Sequence, residues 1–267
     1  MTDYIHGYTK KETRRLSDQA ATLSHLIHCD SLFPEGSSIL EIGCGTGSQT
    51  LIVGSMNPLC RFTSIDISEQ SIKIAKKRTE EAGLNNITFI NTDINTPDLL
   101  TGTFDHALFC FVLEHLVDPV SVIQRVFQMV KPGGTITAIE GDHGSACFYP
   151  ETEKAMKTIN CQVMLQQKAG GDANIGRRLY PLLESAGLKN VSVSPRIVYA
   201  DNSRPDLVEG FTKKTFIAMI EGVKENAISH GLISEEDWDE GIRDLYLSSG
   251  SSGTFSYTFY KGIGVVP

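Results

Sequence analysis

The chain has no apolar run long enough to cross a membrane. Its longest uninterrupted apolar stretch, ALFCFVL at residues 107–113, falls far short of the roughly 20 residues that a span needs. Basic clusters are missing too. Lys and Arg number 24 against 32 Asp and Glu, a formal net charge of −8. The cations gather only in short runs: Lys10-Lys11, Arg14-Arg15, Lys76-Lys77 with Arg78 next to it, Arg177-Arg178 and Lys213-Lys214. Counterion release onto a phosphate backbone needs denser clustering, so no nucleic acid and no membrane is expected as a partner. The six cysteines (Cys29, Cys44, Cys60, Cys110, Cys147, Cys161) include no CxxC pair and no zinc spacing. That argues against a metal centre and fits free thiols in a reducing cytoplasm. The polar start MTDYIHGYTKKE does not read as a signal peptide, and no internal repeat is visible. What remains is ordinary globular composition over 267 residues, 40% hydrophobic and 21% charged, expected to be a single cytoplasmic domain.

Periodicity supplies the organisation. Leu16, Ala20, Leu23 and Ile27 step by four, three and four, which marks one face of a helix. Strand-like segments at 39–42, 62–66, 87–91, 104–111 and 135–140 then alternate with helical ones at about 49–55, 69–82 and 119–130. Ser68 is a plausible N-cap and Gly83 a plausible stop for the second of these helices. Such alternation predicts an α/β fold, a mostly parallel sheet covered by helices on both faces. Beyond it, helices are expected at about 151–168 and 175–186, an extended segment at 191–200, and a polar, helix-rich insertion at about 201–247. SEED from Ser234 has the form of a capping box. SSGSSG at 248–253 reads as a flexible loop inside the fold, ahead of a last strand at 254–266.

The most informative stretch is ILEIGCGTGSQT, residues 39–50. A strand that stops at a glycine turn and re-enters as a helix makes a ligand mouth at the carboxyl edge of a sheet. Glycine there permits positive φ and lets a ligand approach the backbone. The dinucleotide pattern GxGxxG would put its third glycine where Ser48 stands. The pattern present is E-x-G-x-G-x-G, from Glu41 through Gly43, Gly45 and Gly47. An acid at that place suits a cationic ligand and would repel a pyrophosphate.

LEIGCGTG resembles motif I of the class I S-adenosylmethionine-dependent methyltransferases. The likeness continues through SIDIS, NTDIN, FDHALFCFVLEHL and VKPGGTITAIE, in order, over roughly residues 39–140. Asp66 lies 25 residues after Glu41. By this resemblance the glycine loop and Glu41 cradle the cofactor S-adenosyl-L-methionine, and Asp66 holds its ribose hydroxyls. Asp93 takes the adenine amino group, Ile67 and Ile94 flank the ring, and Phe111 lies near the methyl-donor end. Asp93 taken alone reads equally as an Asx-turn residue. The resemblance implies a Rossmann-like seven-stranded sheet in the order 3-2-1-4-5-7-6, strand 7 antiparallel. It implies methyl transfer by in-line displacement to a small organic acceptor, and within the superfamily the chain is most similar to the ubiquinone and menaquinone C-methyltransferases. It further implies an N-terminal helical lid (1–35), a cofactor-binding core (36–147) and a C-terminal part (148–267) whose insertion caps the pocket. Two alternatives stay open: a non-catalytic sensor using the same cleft, and a nicotinamide oxidoreductase, against which Ser48 and Glu41 speak.

Catalytic candidates follow from position. His143 in EGDHGS, after the fifth strand, is the stronger candidate for a proton acceptor, and His115 in LEHL the weaker. Each also reads as an ordinary loop or helix-start histidine. Tyr4, His6 and Tyr8 bracket a glycine before the first helix and suit a lid over substrate. Phe148 and Tyr149 before Pro150 suit a pocket wall or plain packing. Arg177 and Arg178 open a predicted helix, where a cation opposes the macrodipole. That misfit calls for a partner, either an acid such as Asp172 or, for Arg178, an anionic acceptor. No DPPY-type tetrapeptide follows the fourth strand, which counts against methylation of nucleobase or glutamine amines.

Overall fold

Strand β1 (Ser38–Ile42) pairs in parallel with β2 (Arg61–Asp66) on one side and with β4 (Phe104–Cys110) on the other. Strand β3 (Ile87–Asn91) lies outside β2, and β5 (Val130–Tyr149) lies outside β4, again in parallel. Strand β7 (Thr254–Val265) runs antiparallel to both β5 and β6 (Lys189–Asp201). The seven-stranded order β3-β2-β1-β4-β5-β7-β6 is the one expected from the sequence. The protein is described here by a computed structural model covering residues 10–95 and 104–267, with the side chains of 10–13 left aside. The expected lid residues Tyr4, His6 and Tyr8 lie outside the described residues.

The central strands are buried on both faces, as parallel strands must be. Successive residues alternate between two cores. Ile39 and Leu108 face one, with Leu23 and Ile27 of helix α1 (Lys10–His28) and Val53 of α2 (Ser48–Met56). Leu40, Ala107 and Phe109 face the other, against Val122, Ile123 and Val126 of α4 (Pro119–Phe127). Between these helices α3 (Glu69–Glu81) starts at Ser68, whose hydroxyl accepts from Ser71 N–H, and stops before Gly83 at φ +72°. Among the described residues no helix is long and apolar enough to cross a membrane.

Four segments differ from expectation. Strand β5 runs 20 residues rather than six, because β7 keeps pairing with it past Glu140. A register shift between Asp142 and Cys147 absorbs the GDHGS run, so His143 sits in a strand bulge instead of a loop. The helix expected at 175–186 divides into a 3₁₀ turn, Ile175–Arg178, and helix α6, Leu179–Ser185. SSGSSG is a loop inside the fold, but a packed one. Ser248 is buried, its hydroxyl donates to Leu245 C=O at 2.6 Å, and Gly253 N–H bonds Gly250 C=O.

Helix α5 (Glu153–Lys168), with Thr152 at its N-cap, packs against helices of the 201–247 segment. That segment forms α7 (Pro205–Leu207), a π-helix (Val208–Ile217), α8 (Ala218–Glu221), α9 (Lys224–Ser229) and α10 (Glu235–Leu247). Ser234 caps α10, accepting from Asp237 N–H as the sequence indicates. Trp238 of α10 is fully buried in the same core as α1. The π-helix meets α1 at Gly210, where an added Cβ would lie 2.3 Å from Thr22 Oγ1.

Candidate functional site

A cavity of about 390 Å³ follows the carboxyl edge of the sheet, from the loop after β3 to β7, a volume in the range of small-molecule sites. Its first end is built from the glycine turn after β1. Gly43, Gly45 and Gly47 all have positive φ, +67°, +52° and +80°. Their surroundings differ. A Cβ on Gly43 would stand 2.6 Å from a Val112 methyl, and one on Gly47 would stand 2.9 Å from Ala75 Cβ, whereas one on Gly45 would meet nothing within 4 Å. Gly43 and Gly45 line the cavity. Gly47 does not: its bareness lets α2 start against α3.

Three carboxylates face this end. Asp66 closes β2, taking Gly45 N–H on Oδ2 and Ser68 N–H on Oδ1, each at 2.8 Å. Each oxygen keeps a second lone pair. Burial holds its pKa above the usual carboxylate range, against those two bonds. Asp93 makes the Asx turn, accepting Asn95 N–H on Oδ1, while its other oxygen has no partner among the described residues. Glu41 is buried, held by Thr50 Oγ at 2.9 Å and Ser64 Oγ at 2.6 Å, and burial pushes its pKa up to about 7. Ile67, half exposed, and the buried Ile94 complete the wall.

Between the two ends stands the turn after β4. Phe111 adopts φ +59°, rare for a side-chain-bearing residue. Glu140 of β5 secures it: Oε1 accepts Val112 N–H at 3.0 Å and Leu113 N–H at 2.8 Å. Glu140 is fully buried, Oε2 has no partner among the described residues, and burial raises its pKa well above the carboxylate range. Glu114 and His115 follow, both lining the cavity, with His115 Nε2 3.6 Å from Glu114 Oε1.

The second end is aromatic. Phe111, Phe259, Tyr257, Phe211 and Phe216 form a chain of ring contacts, with centroids from 4.8 Å to 5.8 Å apart. The π-helix brings Phe211 and Phe216 to one side, five residues apart. Into this wall His143 projects, its Nδ1 2.6 Å from the Tyr257 hydroxyl, its backbone N–H on Ala173 C=O. Burial lowers the imidazole pKa and raises that of Tyr257 well above its ordinary value. Arg15 and Gln19 of α1 and Gln166 of α5 add the remaining polar edge.

The structure therefore brings together Glu41, Gly43, Gly45, Asp66, Ile67, Asp93, Ile94, Phe111, His115 and His143 around one cavity. It keeps two expected substrate residues away. Tyr149, at the outer end of β5, is 64% exposed and does not line the cavity. Arg178 pairs with Asp172 at 2.6 Å on the surface, the plainer of its two readings. Arg177 clasps buried Asp142 with two 2.7 Å bonds. The sequence reading missed Tyr257, Phe259, Phe211, Phe216, Arg15 and Glu140. Aromatic residues at every second position of TFSYTFY were the available signal for the first two.

The model of a family described as a methyltransferase domain matches residues 34–187, more than half the chain, including both the glycine turn and the bulge with His143. The chain belongs to this methyltransferase-domain family. Among its relatives, a demethylmenaquinone methyltransferase of Lactococcus lactis is 31% identical over 117 residues, 43% of this chain and 46% of that protein. An uncharacterized 37.1 kDa transposon protein of Streptomyces fradiae is 29% identical over 190 residues, 70% of this chain and 54% of that one. The chain thus spans about half the length of the curated relatives it matches. The fold is shared with the [4+2]-cyclase SpnF (TM-score 0.55, 18% identity, 95% of this chain and 81% of that one). It is shared too with a Haemonchus contortus phosphoethanolamine N-methyltransferase solved with S-adenosylhomocysteine (TM-score 0.57, 15% identity, 92% and 52%).

Proposed function

We propose that this member of the methyltransferase-domain family transfers a methyl group from S-adenosylmethionine to a small organic acceptor, within the cytoplasm. One observation carries the reading: the glycine-turn end of the cavity is lined by three carboxylates, Glu41, Asp66 and Asp93, and by no lysine or arginine among the described residues. That end fits a cationic nucleoside and would repel a dinucleotide pyrophosphate. Glu41, a buried carboxylate with only two hydroxyl partners and no cation among the described residues, has the chemistry of a counter-charge awaiting a ligand. The bare approach at Gly45 leaves room for one. When bound, the cofactor supplies a methyl carbon on a sulfonium whose leaving group is a neutral thioether.

The chain's own residues supply alignment and dryness. Asp66 grips the ribose with its spare lone pairs, Asp93 Oδ2 reaches the adenine edge, and Ile67 and Ile94 flank the ring. Gly47 supports the turn from behind. Phe111 separates the donor end from the aromatic chamber, where the acceptor sits against Phe211, Phe216 and Phe259 with His143 as the polar group it meets. Helix α1 and the 201–247 helices serve as lid and cap, because they furnish that chamber's outer wall. Exposed free thiols at Cys29 and Cys147 suit a reducing compartment.

Calorimetry with S-adenosylhomocysteine tests the reading, followed by release of that product from labelled cofactor in the presence of a metabolite extract. Asp66→Ala is expected to weaken nucleoside binding by about 1–3 kcal/mol. Unchanged affinity, or a preference for NAD over S-adenosylhomocysteine, would defeat the proposal.

A further inference from the structure

Lys261 of β7 is 2% exposed, and lysine is hardly ever buried that far unless it is paired. Its ammonium meets Asp30 Oδ1 at 2.7 Å and Ser31 Oγ at 2.9 Å. Asp30, half exposed, also holds Arg196. Ser31 Oγ lies 3.1 Å from His28 Nδ1, and His28 Nε2 lies 2.8 Å from Gln49 Oε1. Gln49 lines the cavity. One hydrogen-bonded line thus joins a surface ion pair to the cavity wall, and its Lys261–Ser31 link spans 230 positions of sequence.

The line runs in one direction. An ammonium donates and cannot accept, so Ser31 Oγ accepts from Lys261. The Ser31 hydroxyl hydrogen then goes to His28 Nδ1, its one acceptor among the described residues. If Nδ1–H donated to Ser31 instead, that hydroxyl hydrogen would be left unpaired on a residue only 4% exposed, an arrangement folded proteins avoid. Burial lowers the His28 pKa to about 4, so the ring is neutral near pH 7. With Nδ1 bare, its single hydrogen sits on Nε2 and goes to the Gln49 carbonyl. Both amide hydrogens of Gln49 are left over, with no partner among the described residues.

We propose that Lys261, Ser31 and His28 are positioning residues that fix the Gln49 amide so that its N–H groups, and not its oxygen, meet the ligand, and that Gln49 thereby takes a carboxylate and turns away an ammonium. The relay stands without the methyl-transfer reading; the identity of the carboxylate rests on it. The cavity follows the strand order, with Asp93 after β3, Asp66 after β2 and the glycine turn after β1. With adenine and ribose at the first two, the amino-acid arm of the cofactor falls to the third. That arm carries an ammonium and a carboxylate. Glu41 and Asp66 attract the first and repel the second, so the carboxylate needs N–H donors. Gln49, two residues past Gly47, supplies them. Arg15 and Glu114 line the same cavity with opposite charge, so Gln49 discriminates by the direction of its hydrogens and not by net charge.

Nitrogen NMR of uniformly labelled protein, with the ring signals tied to the His28 backbone, decides the relay. The expected spectrum shows His28 protonated at Nε2 and bare at Nδ1 in the wild type. Lys261→Met frees Ser31 Oγ to accept from His28, and both tautomers are expected in that variant. Protonated Nδ1 in the wild type overturns the proposal, and the wild-type spectrum suffices should the variant fail to fold. Calorimetry then compares S-adenosylhomocysteine with 5′-methylthioadenosine, which lacks the amino-acid arm. Gln49→Glu keeps an oxygen for His28 and removes the N–H groups. It is expected to weaken S-adenosylhomocysteine roughly tenfold, the worth of one hydrogen bond to a charged group, and to leave 5′-methylthioadenosine within about twofold. Equal loss for both nucleosides, or no loss for either, overturns the role of Gln49. A wild type that binds neither nucleoside strikes the methyl-transfer reading, while the spectrum still decides the relay.

Discussion

The two ends of the cavity are built on opposite plans. At the β1–β3 end the contacts come from backbone turns and from carboxylates at strand tips: the glycines of 43–47, Asp66, Asp93. Each is set by its own short segment. At the β4–β7 end the wall is made of side chains from α1, the bulge of β5, α5, the π-helix and β7. Those groups meet only after the whole chain has folded. The difference teaches that a pocket made of turns and strand tips can be written locally, whereas a chamber walled by side chains is a tertiary product.

The largest expected effect tests whether the two plans are separable. Trp238→Ala should cost about 3–5 kcal/mol of stability through the cavity it leaves in the cap, measured by urea unfolding. If the donor end is self-sufficient, affinity for S-adenosylhomocysteine in the remaining folded protein should hardly change. A large loss of both would mean that the cap helps shape the donor end.

A second effect sharpens the boundary. His28, at the end of α1, is buried between Ser31 Oγ and Gln49 Oε1, with its pKa lowered to about 4, chiefly by burial. Its stabilisation is present above its unfolded pKa of about 6.5 and is lost as pH falls toward 4. Glu41 acts with the opposite sign. Its pKa is raised to about 7, so its contribution is full below about 4.5 and is lost as pH rises through 7. Each is worth about 3 kcal/mol over its window, and between pH 4.5 and 6.5 the two slopes cancel. Glu41→Gln should therefore unmask a decline in stability on acidification that the wild type does not show. Parallel curves for the two proteins from pH 4.5 to 6.5 would refute the pairing.

The smallest effect concerns the surface. Arg178→Ala removes an exposed ion pair with Asp172 and should change stability by less than about 1 kcal/mol and leave turnover unchanged. A marked rise in KM would return Arg178 to the acceptor site.

Much of the first end was legible in the sequence. Glu41, the glycines and Asp66 fall at strand ends that apolar runs and caps mark out, and the backbone needs glycine where φ is positive. Asp93 was legible in two ways, and the structure shows one of them, the Asx turn through Oδ1, in a residue that also lines the cavity. The second end was harder. Nothing local signals that β5 continues past Glu140, because the glycines there read as a stop until β7 supplies the partner. Tyr149 and Arg178 drew interest from their neighbours in sequence, but the long strand carries one outward and the 3₁₀ turn pairs the other. The Phe211–Phe216 spacing fits a π-helix, which helical periodicity of 3.6 does not anticipate. Serine and glycine in SSGSSG suggested looseness, yet both are small enough to pack a tight turn.

Glu140 has a wider bearing. By bonding the amides of Val112 and Leu113 with one oxygen, it hangs the corner after β4 from the neighbouring strand. The posture of Phe111 is thus inherited from β5, the strand whose irregularity also presents His143. A small slip along that strand would tilt the ring and move the imidazole together.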